Sequence, residues 1–121
     1  MAGTVLIVED EPHIVESLTF LLTREGFEVR AIGDGGAALE ALQGELPAVL
    51  VLDAMLPGVD GFEILRHLRS DPRYQPLRIL VLTAKGQPRD RAVAEALGAD
   101  RFMTKPFSNA EVVAAVRELA G

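Results

Sequence analysis

The sequence predicts an α/β fold, a doubly wound, five-stranded parallel sheet with helices on both faces. Three observations carry this expectation. Short, continuous apolar runs recur along the 121 residues, as strands buried on both faces require. Stretches with apolar residues at helical spacing separate them. Helix-start and helix-stop residues fall at the junctions.

The elements follow in order. Thr4–Val8 is the most apolar strand. In helix one Ile14, Leu18, Leu21 and Leu22 share a face, Pro12 suits the first turn and Gly26 follows the end. Glu28–Ile32 is a weaker strand. Helix two carries Ala38, Leu39 and Leu42, with Asp34 as cap and Gly44 closing it. Ala48–Leu52 is the third strand. Phe62, Leu65 and Leu68 mark helix three, which Asp60 and Glu63 open at capping-box spacing. Asp71-Pro72 ends it, because the residue before proline resists the α conformation. Arg78–Leu82 is the fourth strand. Ala92, Val93, Ala96 and Leu97 mark helix four, with Gly98 beyond it. Arg101–Thr104 is a weaker fifth strand. Val112, Val116 and Leu119 mark helix five, opened by Ser108 and Glu111 at capping-box spacing. Right-handed crossovers around a central first strand give the order 2-1-3-4-5, the flavodoxin-like arrangement.

This length suits one domain over residues 1–121. The absence of cysteine excludes disulfides, thiolate metal sites and cysteine nucleophiles. No apolar run approaches the roughly 18 residues that span a bilayer. A net charge of −6 and the absence of tryptophan argue against direct binding of nucleic acid. The expectation is a soluble, cytoplasmic domain with neither membrane nor nucleic acid as a direct partner.

In open α/β sheets ligands bind beyond the carboxyl ends of the strands, at the point where strand order reverses. Here that point lies between strands one and three, whose ends carry Glu9-Asp10-Glu11 and Asp53. Strand four ends at Thr83 and strand five at Lys105. Each residue has a plain reading. Acids at 9–11 favour a helix N-terminus, Asp53 and Thr83 can cap turns, and most lysines are simply solvated. The set is more specific than its members, because each falls at the end of a different core strand. Two acidic strand ends suggest a shared cation, and oxygen-only ligands suit Mg2+. A carboxylate so neutralised can attack a phosphoryl group, with Lys105 and Thr83 placed to hold the phosphoryl oxygens.

These residues, in this order, resemble the receiver domain of two-component response regulators. The resemblance rests on Val5-Leu6-Ile7-Val8-Glu9-Asp10-Glu11, the segment from Leu52-Asp53 through Met55-Leu56-Pro57-Gly58 to Asp60-Gly61, Leu82-Thr83-Ala84-Lys85, and the segment from Gly98 to Thr104-Lys105-Pro106-Phe107. It covers essentially the whole chain. It implies that Asp53 accepts phosphate from a histidine kinase or phosphotransfer protein. It implies Mg2+ on Asp10, Asp53 and the backbone carbonyl of Met55, with Glu9 acting through water. It further implies Thr83 and Lys105 on the phosphoryl group, a cis Lys105-Pro106 peptide, and Phe102 as the rotating aromatic of a switch coupled to Thr83. Output would pass through a downstream protein or a separate output domain.

Departures from the family pattern are informative. Phe102 stands where tyrosine is common. Arg101 replaces an acid, and Ala115 a base, of the subfamily linked to winged-helix domains, while Arg91 and Glu111 match its dimer face. The expectation is a monomer or weak dimer. A phosphohydrolase of the haloacid-dehalogenase kind is the alternative, but it needs an acid where Met55 stands. An FMN binder needs a hydroxyl- and glycine-rich loop after strand one, where this chain has acids and a proline. An interaction module that is never phosphorylated is a further alternative.

Overall fold

The structure, a computed structural model, describes residues 3–56, 59–84 and 88–121. Strands and helices alternate as β1 (Thr4–Val8), α1 (Pro12–Arg24), β2 (Glu28–Ile32), α2 (Gly35–Ala41), β3 (Val49–Asp53), α3 (Gly61–Ser70), β4 (Arg78–Thr83), α4 (Pro88–Ala96), β5 (Arg101–Thr104) and α5 (Asn109–Ala120). A short 3-10 turn, Pro72–Tyr74, joins α3 to β4. The strands form one sheet in the order β2-β1-β3-β4-β5, all neighbours parallel. Register aligns the carboxyl ends: Val8 faces Leu52, Asp53 faces Leu82, and Thr83 faces Thr104. β3 and β4 each run to the polar residue after their apolar run. Ladder bonds set those ends, since the Ala54 amide still donates to the Leu82 carbonyl at 2.8 Å.

Strand alternation splits the core in two. Val5, Ile7, Val49, Val51, Leu80, Leu82 and Met103 face α1 and α5, where Leu18, Leu22, Val112 and Val116 cover them. Leu6, Val8, Leu50, Leu52, Ile79, Val81 and Phe102 lie in the core shared with α2, α3 and α4. Each fully buried aliphatic side chain contributes about 1.5–3 kcal/mol of transfer free energy.

Most helix signals form as the sequence predicts. Glu11 caps α1 through the His13 and Ile14 amides with Pro12 in the first turn, and Asp34 caps α2 through Ala37. Ser108 and Glu111 close a full capping box. Gly26 and Gly98 take φ of 93° and 104° behind α1 and α4. Two expectations need correction. Asp60 caps α3 through the Phe62 amide at 2.9 Å, whereas Glu63 pairs with Arg66 at 3.4 Å, so no reciprocal box forms. On α4, Ala92, Val93 and Ala96 are exposed, while Ala94 is fully buried and Leu97 partly so. Alanines give little burial energy, so their spacing does not fix which way the helix turns.

One side chain staples the α3–β4 connection to the start of β5. Arg69 donates to the carbonyls of Gly98 (2.9 Å), Tyr74 (2.7 Å) and Leu77 (2.7 Å), and to Asp100 Oδ2 at 2.9 Å. Asp100 Oδ2 also accepts from the Ile79 amide at 2.8 Å. Removing Arg69 leaves the three carbonyls it served without their donor, while Asp100 keeps the Ile79 amide and Arg78 at 3.6 Å. Arg69→Met should therefore lower the unfolding free energy by about 2–3 kcal/mol, read as a fall in urea midpoint at constant m-value. A loss below about 1 kcal/mol, the scale of an exposed ion pair, would contradict this assignment.

Candidate functional site

β1 delivers Glu9 to the rim, where its own amide donates to the Ile32 carbonyl at 3.1 Å. The chain turns into α1 there, so the Asp10 and Glu11 amides both donate to Glu9 Oε2 at 3.1 Å. Its other oxygen, Oε1, accepts from Lys105 Nζ at 2.5 Å. Lys105 Nζ also lies 3.4 Å from Asp53 Oδ2. Asp53 Oδ1 accepts from the Met55 amide at 2.9 Å. Glu9 and Asp53 are each 2% exposed. Two buried carboxylates thus share one ammonium. Burial pushes the Glu9 carboxyl above its usual range, and Lys105 opposes that rise.

Why these groups meet follows from strand parity. Glu9 continues the Val5-Ile7 side of β1, Asp53 the Val49-Val51 side of β3, and Lys105 the Met103 side of β5, all toward α1 and α5. β4 lies between β3 and β5, so Lys105 must reach across its end. The Lys105 amide is fixed there by the Thr83 carbonyl at 2.8 Å, and the Lys105-Pro106 peptide is cis. Gly61 holds the other side close. A Cβ there would sit 2.4 Å from the Asp53 carbonyl oxygen, so only glycine lets α3 start against the end of β3.

Carboxylate oxygens of Glu9, Asp10 and Asp53 all lie within 4.8 Å of one another, with Asp10 exposed to solvent. With Lys105 the cluster carries a formal charge of −2. Its all-oxygen donors and that charge fit a hard divalent cation such as Mg2+. Met55 is half-exposed beside Asp53.

Thr83 is 1% exposed at the end of β4 and belongs by parity with Val81 and Phe102, on the opposite face from Lys105. Phe102 is already buried, at 8% exposure, with the Arg91 guanidinium 5.3 Å from its ring centroid. The family-pattern residues Pro57, Gly58 and Lys85 lie outside the described residues. Sequence reasoning missed Arg69 and Asp100. A near-buried arginine needs several carbonyls around it, and which ones the fold supplies is not visible in a linear pattern.

Comparison with known proteins agrees with this layout. Residues 5–117 match the family described as the response regulator receiver domain. The chain is 43% identical over 119 residues to the phosphate regulon transcriptional regulatory protein PhoB of Rhizobium meliloti, covering 98% of this chain and 52% of that protein. It is 44% identical over 119 residues to the alkaline phosphatase synthesis transcriptional regulatory protein PhoP of Bacillus subtilis, covering 98% and 49%. The chain thus spans about half the length of these relatives. Among solved structures, a putative response regulator from Chloroflexus aurantiacus superposes with a TM-score of 0.91 at 35% identity, covering 98% and 97% of the two chains. The receiver domain of sensor histidine kinase PA1611 from Pseudomonas aeruginosa, with a magnesium ion in its active site cleft, gives 0.88 at 26% identity and covers 98% of each chain.

Added Mg2+ should stabilise this fold. At ten times its dissociation constant the gain is about 1.4 kcal/mol, or roughly 5–6 °C in melting temperature for a domain of this size. Asp10→Ala should lose most of that rise. An unchanged Mg2+ response in the variant would remove Asp10 from the ligand set.

Proposed function

The chain belongs to the response regulator receiver domain family, a family of phosphorylation-activated switches, and from that premise we propose that Asp53 is its phosphoacceptor. What supports the reading is the pairing of a buried Asp53 with Lys105, beside Glu9 and Asp10, on one rim of the sheet. In this mechanism an Asp53 carboxylate oxygen attacks the phosphorus of a phosphohistidine on a histidine kinase or phosphotransfer protein. The P–O bond forms as the P–N bond breaks, and the departing imidazole nitrogen keeps the electron pair. Mg2+ held by Asp10, Asp53 and the Met55 carbonyl, with Glu9 acting through water, would supply neutralising charge on the phosphoryl oxygens. Lys105 follows the phosphoryl charge from its place between Glu9 and Asp53, and the Thr83 hydroxyl donates to a phosphoryl oxygen. Thr83 and Phe102 then carry the change to the α4–β5–α5 face, where a downstream protein or a separate output domain reads it.

The domain acts as a cytoplasmic phosphoacceptor and assists its own phosphorylation and slow dephosphorylation. Turnover as a phosphohydrolase would need an acid at Met55, where the chain offers a thioether. Incubation with Mg2+ and acetyl phosphate or phosphoramidate should add one phosphoryl mass to the wild type and none to Asp53→Ala. Equal labelling of both would defeat the assignment.

The same face supports a monomer or weak dimer. Arg101 pairs with Glu118 of its own chain at 3.0 Å, and Glu111 accepts from the Ser108 amide. Ala115 is fully buried. Pairs between copies would compete with these contacts, and exposed pairs contribute only about 0.2–1 kcal/mol each. Sedimentation of the beryllofluoride-treated domain at roughly 30 μM, a concentration that detects weak association, should show mainly monomer. A dominant dimer built on this face would contradict the reading.

A further inference from the structure

Phe102 is the residue of β5 that enters the core beneath α4, in register with Val81 of β4. Arg91 of α4 closes over it with its guanidinium carbon 5.3 Å from the ring centroid. That distance is within cation–π range. Among the described residues Arg91 is in no ion pair. Yet Glu95, one turn along α4, and Glu111, at the start of α5, line the same surface groove. Arg91 therefore has two kinds of partner along this groove: the ring that it now covers, and a carboxylate.

We propose that Arg91 is a latch on Phe102, holding α4 against β5 until the rim above Thr83 changes. The proposal rests on the switch reading given above and adds to it the residue that reports on the ring. A phenyl ring carries no hydroxyl, so it gains no hydrogen bond to water by turning out and loses its apolar burial. The ring therefore stays inside, and the guanidinium moves. Thr83 lies two residues beyond Val81 on the same side of β4, and Val81 is the strand neighbour of Phe102. A displacement of Thr83 shifts the packing around the ring, since close-packed interiors pass on small volume changes. A ring that settles deeper leaves the guanidinium without its platform. Arg91 then turns to Glu95 or Glu111, and α4, with exposed Ala92, Val93 and Ala96, is free to reseat.

The latch favours the resting arrangement, so its removal should ease activation. A cation–π contact at an exposed site moves an equilibrium by about two- to five-fold. Beryllofluoride with Mg2+ serves as the activating probe, titrated into wild type, Arg91→Gln, Arg91→Lys and Phe102→Leu and followed by NMR. Before beryllofluoride, the side-chain protons of Arg91 should be shifted upfield by the ring, and saturation should return them toward ordinary values. Arg91→Gln should lower the half-saturating beryllofluoride concentration about two- to five-fold, with Arg91→Lys between it and the wild type. Phe102→Leu keeps the arginine and removes the platform. It should abolish the upfield shift and lower half-saturation in the same way. Unshifted Arg91 protons in the wild type, or a half-saturation in Arg91→Gln equal to the wild type, would overturn the latch. A wild type that binds no beryllofluoride while Arg91 protons are ring-shifted would overturn the switch reading, and the coupling with it.

Discussion

One ammonium between two buried carboxylates sets the terms for the rest of this structure. Lys105 Nζ lies 2.5 Å from Glu9 and 3.4 Å from Asp53, each carboxylate only 2% exposed. Isolated burial of either charge would cost several kcal/mol, so the ammonium must be delivered accurately. Delivery needs three strand ends in register, matching side-chain parity on β1, β3 and β5, and a chain that passes over the end of β4. The backbone bond from Lys105 to Thr83 fixes that passage. A single added cation still leaves the acidic cluster with excess negative charge, and that excess makes the rim receptive to a divalent metal.

The same parity divides the work between the two faces of the sheet. Groups that hold charge point toward α1 and α5, while Thr83 and Phe102 belong to the face covered by α4. β4 connects them, because Thr83 offers its carbonyl to Lys105 and its side chain to the other layer. Below the rim, Arg69 ties Tyr74, Leu77, Gly98 and Asp100 into one unit. The start of β5 is thereby anchored to the α3–β4 connection.

The fold was legible in the sequence because its strands are continuous apolar runs and its helices carry strong punctuation. Pro12, Asp34, Gly98 and the Ser108–Glu111 pair all mark true boundaries. Strand ends were less legible, since Asp53 and Thr83 are polar yet paired in the ladder. The orientation of α4 was not legible, because alanines on several sides leave no dominant stripe. At the rim, the set Glu9, Asp10, Asp53 and Lys105 was readable from strand ends alone. That Glu9 is the shorter contact of Lys105 was not, because it depends on α1 turning the 10–11 amides back onto Glu9. The Arg91–Phe102 contact was equally hidden, as it depends on how α4 rotates.

The most direct test of the central claim is a double-mutant cycle between Glu9 and Lys105 in metal-free buffer, using Glu9→Gln, Lys105→Met and the double variant. Urea unfolding gives the coupling free energy. If the shared ammonium is what makes the buried acids tolerable, the coupling should be about 1–3 kcal/mol and should shrink when Mg2+ supplies the missing charge. Additive effects, within about 0.5 kcal/mol, would contradict it.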